Sequence, residues 1–560
     1  MSPSFTLFTV ASSLLALACG QATSTYSEKD VPTGVPIPGD YSGALRPQVH
    51  FSPPAAFMND PNGLFVDGEG VYHLYYQYNP TANVAGNQHW GHATSKDMYT
   101  WTNQPIAIFP GGPTEGVFSG SAVIDANNTS GFFPAQSNGV VAIYTINTPD
   151  NQTQHIAYSH DNGFSFIKYA DNPVIVPGGT NPTQFRDPKV IWYEPTKSWV
   201  MIVAYPIDFK IGIFTSPNLK DWTPTSNFSD HGLTGLQYEC PNMVEMRVEG
   251  SKEGDEPKYV MLISINPGAP LGGSITEYFV GTFNGTHFQA DDARTRLTDF
   301  AKDNYAGQFF YGIPANEDQI AINWASNWQY TQTVPTAGKE VGDGFRSVMT
   351  VPRRQYLKDL PRQGLTLMSY PRNIMSIAES QLAYEESVGN GTVFVDYSAI
   401  ESGAIYFEAN VTGLTTGDSL DGTINFAISS SVSGESVTGG TALSSADVWL
   451  DRGRTDGYQS PFFNDKFSAT AIYNEFEGSW RISAVVDRSV IEMFLNGGEL
   501  SATSVFFPTQ PLDLLMVRFS GLNATVKASV GVWGLKAAWL DQADANGTVA
   551  GNATKSDMKF

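Results

Sequence analysis

The sequence predicts an all-β protein in which a five-bladed β-propeller is followed by a C-terminal β-sandwich. From about residue 45 to about residue 365, short β-type runs such as 71–76 and 140–144 are separated by Gly, Pro, Asn and Asp. No long run with the 3.6-residue helical period appears among them. A second group of β runs, from about residue 391 to about residue 540, has the length of an ordinary sandwich domain.

An internal repeat favours a propeller for the first region. A strand, a turn rich in Ser, Asp or Asn, and a returning aromatic residue recur four times, with the aromatics 65, 56 and 66 positions apart at Trp101, Phe166, Trp222 and Phe288. Each repeat has the length of a propeller blade, so about 320 residues hold about five blades. A single large sandwich would not need the repeat, and it is the alternative that the pattern leaves open.

The ends of the chain lack these patterns. An uncharged apolar run before small residues, suited to cleavage before Gln21, predicts a signal peptide. A stretch from Asn373 to Glu386 has some helical character and lies between the two β regions. The predicted organisation is signal peptide 1–20, leader 21–44, propeller 45–365, linker 366–390, sandwich 391–540 and polar tail 541–560.

Charge and cysteine content indicate the environment. The chain has 32 basic and 55 acidic residues, a formal net charge of −23, which disfavours nucleic acid and anionic membranes as partners. The N-terminal apolar run is too short to span a bilayer. Ten glycosylation sequons follow the predicted signal peptide, and signal cleavage would leave Cys240 as the only cysteine. We therefore expect a secreted, extracellular glycoprotein without an intrachain disulfide.

Three acidic residues each stand one or two positions before a proline: Asp60 in Met-Asn-Asp-Pro-Asn-Gly, Asp187 in Phe-Arg-Asp-Pro and Glu239 in Glu-Cys-Pro. Proline restricts the backbone around each carboxylate. An ordinary turn explains residues 58–63 equally well when they are considered alone. In a propeller, however, the first strand of each blade lines the central channel, so the three carboxylates could converge. A glycosidase needs a nucleophile and a proton donor that are held rigidly.

Carboxylates that cluster cannot all ionise easily, so one of them should have a raised pKa. We expect Arg186 to keep Asp187 charged. Glu239 has the most apolar neighbours and suits the proton donor, whereas Asp60, held by Asn59 and a tight turn, suits the nucleophile. Cys240 alternates with Glu239 along a predicted strand and is expected to point away from the site.

These three segments resemble the signature segments of glycoside hydrolase family 32, which comprises invertases, inulinases and related β-fructofuranosidases. The likeness continues through residues 77–80, 90–93, 118–121, 265–268, 324–328, 450–452 and 486–492. The resemblance implies a retaining mechanism on terminal β-fructofuranosyl groups, most readily those of sucrose, with no metal and no cofactor. Asp60 would be the nucleophile, Glu239 the acid/base and Asp187 the transition-state stabiliser. The residues that would contact the fructose are Asn59, Gln77, Phe118, Ser119, Arg186 and Trp328.

Departures from the family pattern leave the acceptor and the substrate open. Phe57 and Ala85 stand where the family commonly has Trp, and Asn242 stands where Gly is usual. A fructosyltransferase, an exo-inulinase and a non-catalytic carbohydrate-binding protein therefore stay as alternatives, and a homo-oligomer is possible. Elsewhere, Asp487 and Arg488 are expected to form a structural ion pair.

Overall fold

The computed structural model describes residues 36–178, 181–252, 254–336, 344–414, 420–471 and 478–539. The predicted signal peptide and polar tail lie outside the described residues. Within them strands dominate, and the helices are three short 3-10 turns, Glu194–Thr196, Pro206–Asp208 and Ile374–Ile377. No helix in these ranges is both long and apolar enough to cross a bilayer.

Five antiparallel sheets are the blades of the propeller. Blade one contains β1 (Ala56–Val66), β2 (Tyr72–Asn79), β3 (His89–Ser95) and β4 (Thr102–Ile108). Blade two contains β5 (Gly116–Ile124), β6 (Val140–Asn147), β7 (Gln152–Ser159) and β8 (Ile167–Lys168). Blade three contains β9 (Arg186–Tyr193), β10 (Ser198–Tyr205), β11 (Lys210–Ser216) and β12 (Thr223–Ser229).

The chain closes the ring with two further blades. Blade four contains β13 (Tyr238–Met246), β14 (Lys258–Ile265), β15 (Ile275–Phe283), β16 (Phe288–Ala290) and the short β17 (Arg296–Leu297). Blade five contains β18 (Tyr305–Phe309), β19 (Gln319–Trp324), β21 (Arg353–Leu360) and β22 (Gly364–Pro371). Between β19 and β21, β20 (Phe345–Arg346) pairs in parallel with β1 and ties blade five to blade one.

The predicted aromatic repeat is confirmed as a feature of the blades. Trp101, Phe166 and Trp222 each immediately precede the fourth strand of their blade, and Phe288 begins the fourth strand of blade four. The inner strands are buried on both faces because adjacent blades cover them; Ile143 of blade two and Met201 of blade three, for example, share one apolar cluster. This double burial explains the continuous apolar runs in the sequence.

Two six-stranded sheets form the sandwich. The first has the order β23 (Ala378–Glu385), β34 (Lys527–Leu535), β25 (Ala404–Thr412), β30 (Ser479–Asp487), β31 (Val490–Leu495) and β32 (Leu500–Val505). The second has the order β24 (Thr392–Asp396), β33 (Leu514–Ser520), β26 (Thr423–Ser429), β27 (Ser436–Ala442), β28 (Asp447–Arg454) and β29 (Lys466–Thr470). Phe407 and Phe426, one from each sheet, meet in the core with ring centroids 5.2 Å apart.

The predicted linker 366–390 is wrong in extent. β22 pairs along its whole length with β21 in blade five, and β23 pairs with β34 in the sandwich. Only the short segment between Pro371 and Ala378, which includes a 3-10 turn, connects the domains. The helical character read from Asn373 to Glu386 is therefore mostly strand, because pairing with β34 outweighs the local preference.

Buried ion pairs join the propeller to the sandwich. His50 contacts Asp487 at 2.9 Å and Glu492 at 3.1 Å, and all three side chains are fully buried. The expected Asp487–Arg488 ion pair is wrong: Asp487 accepts from His50 and from backbone N–H groups, whereas Arg488 donates to backbone carbonyls. The two neighbours in sequence point in different directions because Arg488 has a positive φ of 56° in the turn after β30.

Candidate active site

The innermost strand of every blade carries a β-bulge facing the channel. The five strands β1, β5, β9, β13 and β18 contact one another in a closed ring. In each, two residues lie opposite one residue of the neighbouring strand, and such bulges redirect side chains. The bulged pairs are Asn59–Asp60, Phe118–Ser119, Asp187–Pro188, Cys240–Pro241 and Ala306–Gly307.

Three of these bulges contain a non-glycine residue with a left-handed backbone. Asp187 has φ 67°, Cys240 has φ 46° and Ala306 has φ 51°. This region is sparsely populated by residues with a side chain, and such conformations persist where the surrounding structure imposes them. Their concentration around one channel marks this end of the propeller as a candidate functional site.

The prediction that Cys240 points away from the site is wrong. Its Sγ lies 3.3 Å from Oδ2 of Asp60 and 3.6 Å from Oδ2 of Asp187. The regular alternation of a strand would have placed it on the opposite face from Glu239, but the bulge and the positive φ break that alternation. Burial and the neighbouring carboxylates raise the pKa of the Cys240 thiol, so it keeps its proton and can donate.

The two oxygens of Asp60 differ in their contacts. Oδ2 accepts a hydrogen bond of 2.7 Å from Ser119 Oγ and the weaker one from Cys240 Sγ. Oδ1 is buried and has no hydrogen-bond partner among the described residues. Burial raises the pKa of Asp60, the Ser119 hydrogen bond opposes this rise, and the charge of Glu239 adds to it. The carboxylate is thus held mainly through Oδ2.

Asp187 is held from two sides. Its Oδ2 accepts a 2.9 Å hydrogen bond from the Cys240 backbone N–H and lies 4.0 Å from Nε of Arg186. Burial raises the pKa of Asp187 to about 7; Arg186 opposes the rise, while the charges of Glu239 and Asp60 add to it. Arg186 therefore acts on the Asp187 pKa in the expected direction, but burial raises that pKa by more than the guanidinium lowers it. The expectation that clustering raises at least one carboxylate pKa is confirmed.

Glu239 has a donor on each oxygen. Arg186 Nη2 donates to Oε1 at 2.9 Å, and the Tyr305 hydroxyl donates to Oε2. Gln237 Oε1 also accepts from Arg186, at 3.1 Å. Sequence reasoning missed Tyr305, because the aromatic repeat was followed only as far as Phe288. Tracing a fifth innermost strand would have pointed to residues 305–309.

The other predicted contact residues surround the carboxylates. Gln77 lies opposite the Asn59–Asp60 bulge and donates through Nε2 to the Val117 carbonyl at 3.0 Å. Phe118, 7% exposed, shares the β5 bulge with Ser119. Trp328 follows β19, and its ring centroid lies 6.3 Å from Phe57 and 4.9 Å from Trp324.

Among the residues that the structure describes, no three His, Cys, Asp or Glu side chains are grouped as a metal ion would require. His89 and His92, whose spacing resembles that of metal ligands, lie on β3 in blade one. His92 Nε2 is 3.1 Å from His73 Nδ1, and burial lowers the pKa of both His92 and His73. The His73 and His92 rings are stacked on each other, and Tyr75 stacks on His92.

Comparison with known proteins assigns the family. Residues 50–371 match the "Glycosyl hydrolases family 32 N-terminal domain", and residues 380–534 match "Glycosyl hydrolases family 32 C terminal". The chain belongs to glycoside hydrolase family 32. The two family 32 segments coincide with the propeller and the sandwich, and residues 372–379, which contain the short connection and the start of β23, fall between them.

Relatives in family 32 are similar over most of their length. The chain is 41% identical over 496 residues to an extracellular exo-inulinase of Meyerozyma guilliermondii, covering 85% of this chain and 92% of the relative. It is 40% identical over 522 residues to an invertase of Schizosaccharomyces pombe, covering 90% and 87%. The β-fructofuranosidase of Schwanniomyces occidentalis complexed with fructosyl-erythritol has a TM-score of 0.79 at 37% identity, covering 89% and 98%.

Proposed function

We propose that this family 32 protein is a retaining β-fructofuranosidase that hydrolyses terminal β-D-fructofuranosyl residues, with sucrose as the principal substrate. The observation that carries the proposal is the free Oδ1 of Asp60 beside a second carboxylate, Glu239, that is clamped by two donors. A binding protein does not require a carboxylate with one oxygen held and the other unpaired in a buried site. The relatives named invertase and exo-inulinase support the same substrate class.

The reaction would proceed in two displacements. Asp60 Oδ1 attacks the anomeric carbon of the fructosyl group, and the bond from that carbon to the leaving oxygen breaks. Glu239 gives its proton to the leaving oxygen, which departs as an alcohol. In the second step Glu239 takes a proton from water, the water oxygen attacks the anomeric carbon, and the ester to Asp60 breaks. The configuration of the sugar is thereby retained.

The surrounding residues have roles that follow from their positions. Asp187 would bind fructose hydroxyls and stabilise the positive charge that develops in the transition state. Arg186 neutralises part of the negative charge of the cluster and orients Glu239. The side chains of Gln77, Asn59 and Ser119 would form hydrogen bonds with the fructose hydroxyls. In a separate role, the apolar rings Phe118 and Trp328 would cover the sugar ring.

The assignment of the nucleophile is tested by Asp60→Ala, with purified protein and sucrose as substrate. We expect turnover to fall by at least about 10⁴-fold, because the covalent step loses its nucleophile. The control is Asp221→Asn, an exposed aspartate on the outer edge of blade three, which should keep full activity. A folded Asp60 variant with appreciable turnover would contradict the role given to this residue.

A fructosyltransferase is the second candidate, and a specific observation favours it. Phe57 is fully buried with its ring 6.3 Å from Trp328, and Ala85 offers only a methyl group, so two indoles common in the family are absent. Product analysis at high sucrose concentration separates the two activities. Hydrolysis predicts equal amounts of glucose and fructose, whereas transfer predicts less free fructose than glucose together with fructo-oligosaccharides.

Secretion and assembly are further parts of the proposal. The extracellular naming of a relative supports secretion of this chain, which expression with its own N-terminus and assay of the culture medium would test. A homo-oligomer remains a prediction, to be measured by light scattering on the purified protein.

A further inference from the structure

Tyr305 is a buried phenol in contact with the acid/base. It begins β18, the innermost strand of blade five, is 1% exposed, and donates its hydroxyl hydrogen to Glu239 Oε2. We propose that Tyr305 is a positioning residue whose hydroxyl holds the Glu239 carboxylate in the orientation needed for proton transfer. This inference rests on the proposed function, because it concerns the acid/base of that reaction.

The first support is the geometry of the clamp. Glu239 belongs to blade four, Arg186 donates to its Oε1 from blade three, and Tyr305 donates to its Oε2 from blade five. A glutamate side chain has three rotatable bonds, and two donors from opposite sides restrict it to one arrangement. Neither donor alone determines the orientation of the carboxylate plane.

The second support is that Tyr305 is itself fixed. The next residue, Ala306, has φ 51° and donates its backbone N–H to Ser264 Oγ at 3.1 Å. The Tyr305 ring meets the edge of Trp324, with centroids 6.1 Å apart and planes at 70°, and Trp324 packs on Trp328. The wall that would cover the sugar is therefore continuous with the residue that holds the acid/base.

The third support is the protonation of the phenol. Burial, and then the charge of Glu239, raise the pKa of Tyr305, so the hydroxyl keeps its proton and acts as a donor toward the carboxylate. The other ionisable groups that act on this pair are Arg186 and Asp187 from β9, Asp60 from β1 and Cys240 from β13. Donation to an ionised carboxylate favours the ionised form.

The test is Tyr305→Phe, which removes only the hydroxyl. In the pH profile of kcat/KM on sucrose, we expect the basic limb to move upward by about one pH unit, because a hydrogen bond to a charged group is lost. At the optimum pH, we expect kcat/KM on sucrose to fall about tenfold. With 4-nitrophenyl β-D-fructofuranoside, whose leaving group needs little protonation, we expect a fall of at most about threefold.

The matched control is Tyr75→Phe. Tyr75 is equally buried, but its hydroxyl donates to the Gly163 carbonyl between blades one and two. This variant should lower stability without moving the pH profile or separating the two substrates. If Tyr305→Phe behaves in the same way as Tyr75→Phe, or if its basic limb does not move, the positioning role is wrong. Absence of fructoside hydrolysis by the unmodified protein would instead refute the proposed function.

Discussion

The two carboxylate oxygens of Asp60 differ in their hydrogen-bond partners. Ser119 and Cys240 both direct hydrogens at Oδ2, and Oδ1 is left without a partner. A buried oxygen without a protein partner can accept a hydrogen bond or react with a ligand that enters the channel. The same two donors limit rotation of the carboxylate, which keeps Oδ1 directed at one place.

The Ser119 hydrogen bond should set the acidic limb of the pH profile. It lowers the pKa of Asp60 against the effect of burial, and Asp60 must be ionised to act as the nucleophile that we propose. In Ser119→Ala the pKa of Asp60 should therefore rise, and the acidic limb of kcat/KM should move upward by about one pH unit. Ser121→Ala is the control on the same strand, because Ser121 Oγ donates to the Pro188 carbonyl instead of a carboxylate. Coincident acidic limbs for the two variants would contradict this prediction.

At the scale of strands, the repeated bulge is what constructs the site. A regular strand would send alternate side chains into the channel and into the blade. The bulges place Asp60, Ser119, Asp187 and Cys240 in mutual contact although they come from four blades. Sequence repeats reveal the blades, and register shifts within the blades determine which side chains meet.

The loop before β13 depends on a buried carboxylate in β15. Glu277 is fully buried, and its Oε2 accepts a 2.8 Å hydrogen bond from the Leu233 N–H. Burial raises the pKa of Glu277 from 4.5 to about 8, although the Leu233 hydrogen bond lowers it. The folded protein thus binds this proton more tightly than the unfolded chain. The resulting stabilisation is complete below about pH 4.5 and is lost as the pH rises through about 8.

Glu277→Gln should remove this part of the pH dependence, because glutamine stays neutral and still accepts from Leu233. The difference in Tm between the variant and the unmodified protein should grow in favour of the variant from about pH 4.5 to about pH 8. Glu385→Gln, at an exposed position of β23, controls for the loss of one negative charge. A constant Tm difference across this range would show that Glu277 does not titrate as inferred.

At the scale of the whole molecule, buried charges unite the two domains. Glu492 in the sandwich accepts from Arg353 of blade five, with Nε 2.8 Å from Oε2, and also contacts His50. On the same interface, Arg452 Nη1 of the sandwich donates to Asp303 of the propeller at 2.7 Å. Each of these side chains is at most 1% exposed. The sandwich is therefore part of the structural support of the propeller.

Glu492→Gln should destabilise the protein by about 1.5–3 kcal/mol, because Arg353 and protonated His50 each lose a charged hydrogen-bond partner while Asp299 and Asp487 stay beside them. Burial lowers the pKa of His50, but hydrogen bonds and charges from Asp487 and Glu492 outweigh it and raise the pKa to about 9. The measurement is urea unfolding followed by tryptophan fluorescence. Asp292→Asn is the control, because it breaks the 2.7 Å ion pair between Arg296 and an Asp292 side chain that is 38% exposed. It should lower the free energy of unfolding by less than about 1 kcal/mol. Equal losses in the two variants would contradict the role of the interface.

Much of the architecture could be predicted, for reasons visible in particular residues. The aromatics at Trp101, Phe166, Trp222 and Phe288 recur because each blade repeats the same packing problem. The linker was misjudged because β22 and β23 are stabilised by partners distant in sequence, which no local pattern reveals. Cys240 was misplaced because the alternation rule fails at a bulge. Tyr305 was missed because the aromatic repeat, followed only as far as Phe288, does not reach the fifth innermost strand.

The sequence by itself determined the fold class and the family and directed attention to three carboxylates, because these depend on periodicity, prolines and local motifs. The tertiary structure alone decided which carboxylate oxygen is free, that Arg186 pairs with Glu239, and that burial dominates the pKa values of Asp60 and Asp187. The physical reason is that hydrogen bonds and desolvation depend on distances of a few ångströms between strands from different blades. Those distances are set only when the ring of blades closes.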